Sequence, residues 1–391
     1  VDDIQDNYQR FNGLTNFQSY FGSVEHGKNF KQPELAATLK RIAKNGSKEF
    51  YHGETAKLIV KQMQKSGGII SAQDLAQYKA VWREPLKANW RDYQILSSPP
   101  PSSGGFGVIQ LLKMKDYLSK EFEGVSHNSE QYVHLVAEME KRVFADRAEY
   151  LGDPAFVDID MTHLISDEYI KRRAMEVKPN AISRLESVNP GLQSPNTTHY
   201  SIVDADGNAV SNTYTINWAY GSGVVVEGAG FLLNNEMDDF SVKPGVANIF
   251  GVVGNTANEI QPGKRMLSSM SPTILLQNNK PVMVIGTPGG STIFTSVFQA
   301  VVNILDFKMT PLEAASASRF HHQLLPPDLI TQSPSLPLPE STIKALTKRG
   351  YRVEPHSWEF GDIQVIYKDG DNLIPASDSR DRGVSKVIDI K

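Results

Sequence analysis

The stretch Asn196-Thr197-Thr198-His199-Tyr200-Ser201-Ile202-Val203-Asp204-Ala205-Asp206-Gly207-Asn208-Ala209-Val210-Ser211-Asn212-Thr213-Tyr214-Thr215-Ile216-Asn217 lies at the middle of a 391-residue chain. Thr198 to Val203 is rich in β-formers, and Ala209 to Asn217 is again. Asp204 to Asn208 between them is turn chemistry. Gly207 suits the left-handed position that closes a three-residue hairpin loop over Ala205, Asp206 and Gly207. In that register Asp204 faces Asn208, and carrying it outward sets Thr197 opposite Thr215. Strand alternation then places Thr213, Thr215 and Asn217 on one face, aiming a hydroxyl and an amide at Thr197.

Thr197 is a candidate nucleophile with a built-in base, provided that it becomes an N-terminus. Attack of its hydroxyl on the Asn196 carbonyl would turn the peptide into an ester, and water would then cut the chain between Asn196 and Thr197. The freed α-amine titrates near ~7.7–8.0, against ~10.4 for a lysine. Roughly a tenth of it is therefore neutral at pH 7, enough to serve as a base without burial. Two plainer readings stand beside this one. Asn196-Thr197-Thr198 is also a glycosylation sequon, and Thr pairs are ordinary in strands.

Three other clusters supply what cleavage of an amide needs. Asn234-Asn235-Glu236-Met237-Asp238-Asp239 concentrates carboxylates and amides suited to an ammonium group, or forms a solvated acidic turn. Leu267-Ser268-Ser269-Met270-Ser271-Pro272 offers hydroxyl donors to a carboxylate, or is a polar loop. Gly286-Thr287-Pro288-Gly289-Gly290-Ser291 follows an apolar run and precedes a helical stretch. Its adjacent glycines leave backbone N–H groups bare, as an oxyanion hole requires; the plainer alternative is a strand-to-helix turn.

The order and wording of these stretches resemble the gamma-glutamyltransferase family of N-terminal-nucleophile hydrolases. Ser98-Pro99-Pro100-Pro101-Ser102-Ser103-Gly104-Gly105, Tyr150-Leu151-Gly152-Asp153-Pro154, Thr197-Thr198-His199-Tyr200-Ser201, Leu233 to Phe240, Leu267 to Thr273, Pro288-Gly289-Gly290 and Arg319-Phe320-His321-His322 carry the resemblance. It runs from about Lys31 to the C-terminus. The resemblance implies a four-layer αββα sandwich of the α/β (α+β) class. Thr197 is its nucleophile and processing residue, with Thr215 tuning it. Asn217, Glu236 and Asp239 grip the substrate α-amino group, Ser268 and Ser269 hold the α-carboxylate, and Gly289 and Gly290 form the oxyanion hole.

The implied reaction is hydrolysis or transfer of a gamma-glutamyl group from glutathione or glutamine-like amides to water or an amino acid. No cofactor and no metal is implied. Residues 1–196 are expected as large-subunit region and 197–391 as small-subunit region, the two fragments staying together after the cut. The location implied is periplasmic or secreted. The family's R-E-x-A-P segment, whose arginine binds the substrate carboxylate, is not found, and the chain is expected to be a trimmed form. Met266 stands where Pro commonly precedes Leu-Ser-Ser-Met. The alternatives are a related acylase acting on cephalosporins, a capsule polyglutamate transferase, or an inactive truncated fragment.

Composition narrows the remaining classes. With 40 basic and 44 acidic residues, the net charge of −4 offers no polyanion-binding signal, and nucleic acid is not an expected partner. No run approaches the ~18–20 apolar residues of a membrane span. Zero cysteines excludes disulfides and thiolate chemistry. Helical spacing is expected at Leu35, Leu39 and Ile42 with a stop at Asn45-Gly46, and at Leu58, Val60 and Met63 with a stop at Gly67-Gly68. Ser71 reads as a helix start, and Ser129 to Tyr150 as a long helix. Residues 242–264 are expected to cover the substrate as a lid. His321-His322 reads as a packed pair, and His199 as structural.

Overall fold

The computed structural model describes residues 1–183, 197–241, 243, 254–370, 372–380 and 383–388. Asn196, on one side of the expected cut, and much of the expected lid (242 and 244–253) lie outside the described residues. The chain divides into two compact units, residues 1–83 with 218–235 and residues 84–217 with 236–391.

The first unit is helical where the spacing requires it. The helix Pro33–Asn45 ends on Gly46 at φ 66°, and Glu54–Ser66 ends on Gly67 at φ 72°; both angles favour glycine. Ser71 caps Ala72–Gln77 through a capping box with Asp74. The second helix buries a different stripe from the one expected. Ile59 and Met63 are buried with Thr55, Ala56 and Gln62, while Leu58 and Val60 are half-buried. Positions 58 and 60 are two residues apart and cannot share a helical face. Ile59 packs on Val226 and Ala229, with Leu58 at the margin of that cluster.

Among the described residues the second unit holds eleven strands: β1 (Leu86–Trp90), β2 (Tyr93–Ser97), β3 (Thr198–Val203), β4 (Ala209–Tyr214), β5 (Thr273–Gln277), β6 (Lys280–Gly286), β7 (Phe320–His321), β8 (Leu329–Gln332), β9 (Arg352–Pro355), β10 (Gln364–Asp369) and β11 (Asn372–Ser377). Six of them form one antiparallel sheet in the order β1-β2-β5-β6-β10-β11. The helices Gly104–Tyr117, Glu130–Tyr150 and Ile293–Leu305 share one large core with it, built on Ile95, Phe106, Leu111, Val136, Phe294 and Phe298. The long helix starts where expected, with Ser129 accepting from the Tyr132 amide.

The central stretch folds as the hairpin β3–β4. Thr198 pairs with Tyr214 and Val203 with Ala209, the register read from the loop chemistry. Asp204 fixes that loop: its carboxylate accepts from the amides of Asp206 (3.0 Å) and Asn208 (2.8 Å), while Gly207 takes φ 84°. The hairpin lies on β6 and β10 through a polar face. Ser211 donates to the Ile285 carbonyl at 3.0 Å, Ser201 to that of Val284 at 3.3 Å, and His199 sits against Thr213 at 2.8 Å. Tyr200, Ile202, Val210 and Tyr214, on the opposite face, are exposed.

A further expectation needs correction. Strand alternation does not carry Asn217 onto the face of Thr213 and Thr215, because β4 ends at Tyr214. The Asn217 amide donates to Thr215 Oγ1 at 2.8 Å, and Asn217 takes φ 76°, a left-handed position that Asn tolerates better than most residues. The turn, instead of the pleat, delivers this side chain.

Candidate active site

Thr197 precedes β3 by one residue, and Thr215 follows β4 by one. Both line a small cavity of about 30 Å³ with Asn217, Asp239, Ser268, Ser269 and Gly290. These residues come from four separate stretches of sequence, and one cavity gathers them. Glu236 and Gly289 are not part of its wall. Each adjoins it along the chain, Glu236 in the same turn as Asp239 and Gly289 beside Gly290.

The acidic cluster folds as a single 3-10 turn, Glu236–Asp239. Removing carboxylates from water disfavours their charged form. Burial pushes Glu236 up to about 7. Asp239 is held well above the ordinary carboxylate range by burial and then by the Glu236 charge, with Arg147 acting in the opposite sense. A cation placed here would relieve both carboxylates.

The hydroxyl cluster is an extended loop held by the Pro-Pro-Ser-Ser segment. The Ser268 amide donates to the Pro101 carbonyl at 2.7 Å, and the Ser103 amide donates to the Ser268 carbonyl at 2.8 Å. Ser98 and Ser102 both donate to the Met270 carbonyl, at 2.8 and 2.7 Å. The Ser268 and Met270 carbonyls are thereby occupied, and Ser268 and Ser269 line the cavity.

After β6 the chain turns at Gly289 (φ 137°) and Gly290 (φ 56°) into the helix Ile293–Leu305. Both angles favour glycine, and Thr292 fastens the turn by donating to the Gly289 carbonyl at 2.7 Å. Ser291 is tied to Gln323 at 2.7 Å. The turn thus puts Gly290 in the wall that Thr197 also lines, ahead of a helix N-terminus, where developing negative charge is favoured.

Sequence reading missed two residues. Arg147 projects from the helix Glu130–Tyr150 into the wall of the cavity and is buried. Burial lowers its pKa to about 10, against the pull of Asp239. It lies one turn beyond Val143 on the stripe that begins with Val136, and a charge on an apolar stripe was the available signal. Asn258 is the second. Its amide donates to the Asp239 carbonyl at 2.7 Å and its Oδ1 accepts from the Leu267 amide at 3.1 Å, joining acidic turn to serine loop. Nothing in its sequence context marks it.

The histidines are packed. Both His321 and His322 are buried: His321 contacts Thr295 and Gln323, and the His322 amide donates to Glu140 at 2.8 Å. Burial holds His199 down to about 4, so it is neutral at physiological pH. Among the described residues no helix is long and apolar enough to cross a membrane.

The family described as Gamma-glutamyltranspeptidase matches residues 1–388. The glutathione hydrolase proenzyme of Pseudomonas aeruginosa is 56% identical over 384 residues, covering 98% of this chain and 69% of the relative. That of Escherichia coli is 44% identical over 362 residues, covering 91% and 61%. The chain therefore spans only part of the length of these relatives. A solved cephalosporin acylase from Bacillus halodurans superposes with a TM-score of 0.78 at 25% identity, covering 96% of this chain and 68% of the other. The sandwich is thus that of the N-terminal-nucleophile hydrolases, and the chain belongs to the gamma-glutamyltranspeptidase family.

Proposed function

We propose that the protein matures by cutting itself between Asn196 and Thr197 and then hydrolyses or transfers gamma-glutamyl groups. The observation that carries this reading is the shared cavity, which joins a threonine hydroxyl, a carboxylate, two serines and a glycine turn. Maturation begins when the Thr197 hydroxyl attacks the Asn196 carbonyl carbon. The C–N bond breaks, the amine takes the hydroxyl proton, and an ester remains. Water then cleaves the ester, leaving a carboxylate on Asn196 and a free amine and hydroxyl on Thr197.

In turnover the Thr197 amine accepts the hydroxyl proton as the oxygen attacks the γ-carbonyl. The amides of Gly289 and Gly290 receive the oxyanion, each such donor being worth ~2.7–4 kcal/mol in the transition state. The proton passes to the leaving amine. The ester on Thr197 is then opened by water or by an acceptor amino acid. Thr215 holds the nucleophile, Asn217, Glu236 and Asp239 receive the substrate ammonium, and Ser268 and Ser269 donate to its α-carboxylate. A cavity of about 30 Å³ admits roughly one water. That is room for the water that hydrolyses the maturation ester.

The substrates are glutathione-like and glutamine-like amides, with amino acids as acceptors. The two fragments, 1–196 and 197–391, are partners of each other, and the compartment is periplasmic or extracellular. The test is an assay of the complete protein on gamma-glutamyl-p-nitroanilide and on glutaryl-cephalosporin, together with intact mass. Release of nitroaniline by the cut form supports the reading. Turnover of the cephalosporin alone replaces it with an acylase.

A further inference from the structure

The Arg147 guanidinium meets the site at two points. Its Nε donates to Ser103 Oγ at 2.9 Å, and its Nη2 donates to Ser269 Oγ at 3.3 Å. Ser103 passes its own proton to the Ser268 carbonyl at 2.9 Å. The cation therefore clamps the serine loop from behind, once through Ser103 and once directly. Among the described residues lining the cavity, Arg147 is the sole cation, and Asp239 lines the same cavity.

A guanidinium has donors and no acceptor. Every hydroxyl it touches must accept from it, so that hydroxyl's own proton turns away. At Ser103 the proton has an acceptor in the protein. At Ser269, which lines the cavity, it is available to a group that enters.

Resting on the proposed gamma-glutamyl reading, we infer that Arg147 is a positioning residue for the substrate α-carboxylate. It fixes Ser269 as a donor toward that carboxylate and supplies the positive field at that end of the cavity. Asp239, in the same wall, supplies the negative field. Together they give a zwitterionic amino-acid head one orientation, which aims the γ-carbonyl at Thr197.

The experiment compares Arg147→Gln and Arg147→Lys in the complete protein on three p-nitroanilides. These are gamma-glutamyl, glutaryl (no α-amino group) and 4-aminobutyryl (no α-carboxylate). Arg147→Gln is expected to raise KM roughly 10- to 100-fold on the two substrates that carry the carboxylate, the range for a charge-assisted hydrogen bond. The loss in kcat is expected to be smaller than the rise in KM, and the 4-aminobutyryl anilide is expected to change by less than about threefold. Arg147→Lys, which keeps the charge, is expected to recover part of the loss. In a Ser269→Ala background Arg147→Gln is expected to cost less than it does alone, because neighbours that share one interaction are not additive.

Equal losses on all three substrates, or full multiplicativity with Ser269→Ala, would overturn the inference. If Arg147→Gln does not fold, Arg147→Lys decides: a loss confined to carboxylate-bearing substrates supports the inference, and a uniform loss overturns it. A wild-type protein inactive on gamma-glutamyl anilide overturns the functional reading and this inference with it. An active wild type with a uniform Arg147 effect overturns the inference alone.

Discussion

The imidazole of His199 lies directly on the backbone of Gly286: a Cβ at that glycine would stand 2.2 Å from His199 Cε1 and 2.3 Å from its Nδ1. The contact joins β3 to β6 at the end of the hairpin that carries Thr197. Gly286→Ala forces the ring or the hairpin to move. Overpacking of this kind typically costs about 1–3 kcal/mol. Denaturant unfolding of Gly286→Ala is expected to show a loss of that size, accompanied by slower maturation. A mutant as stable as wild type would mean that His199 can leave its bonds to Thr213 and Ser201 at little cost.

Thr197→Ala is expected to abolish both cutting and turnover, since it removes the attacking oxygen and leaves the hairpin otherwise intact. Intact mass and gel mobility report the cut. A mutant still divided at the same bond would show that an external protease makes it.

Thr215→Ala tests the hairpin register one step beyond its last paired residues. It removes a hydroxyl from the cavity wall and the acceptor of the Asn217 amide. The expected stability loss is about 0.5–1.5 kcal/mol, with slower maturation and slower turnover in a folded protein. Normal rates in the folded mutant would rule out a role for this hydroxyl at the nucleophile.

Asp239→Asn is expected to raise KM for gamma-glutamyl anilide by roughly tenfold or more, the value of a charge-assisted hydrogen bond to an ammonium. Glutaryl anilide, which lacks the ammonium, is expected to be nearly indifferent. Equal losses on both would assign the Asp239 side chain a structural role instead.

The acidic turn also makes stability depend on pH. Glu236 titrates at about 7 in the folded protein because burial disfavours its charge, above the ordinary value of 4.5. Its folded pKa is raised, so its contribution is fully present below about pH 4.5 and lost as pH rises through about 7. Glu236→Gln removes that dependence. It is expected to match wild type at pH 4.5 and to exceed it at pH 8 by roughly 1–3 kcal/mol in the unliganded protein. Melting curves at the two pH values decide, and a mutant no more stable than wild type at pH 8 would mean that burial does not penalise the Glu236 charge.

The sequence by itself determined what depends on neighbours along the chain. The hairpin register followed from Asp204 and Gly207, because a three-residue loop with a left-handed glycine leaves one pairing for the strands it joins. The helix ends at Gly46, Gly67, Ser71 and Ser129 followed for the same reason, each cap being satisfied within a few residues. The chemistry of the acidic and serine clusters was legible in their side chains, and that of the glycine cluster in its bare backbone. Only the tertiary structure decided which of them meet. Seating Thr197, Asp239, Ser269 and Gly290 around one cavity requires the hairpin to lie on β6 and the serine loop to pair with the Pro-Pro-Ser segment, contacts that span long stretches of chain. Asn217 turned into the site through a left-handed residue that alternation did not foresee. Arg147, three helix residues before the Tyr150 that opens the family motif, became a member of the site because burial left its guanidinium no water and the serine loop offered it oxygen.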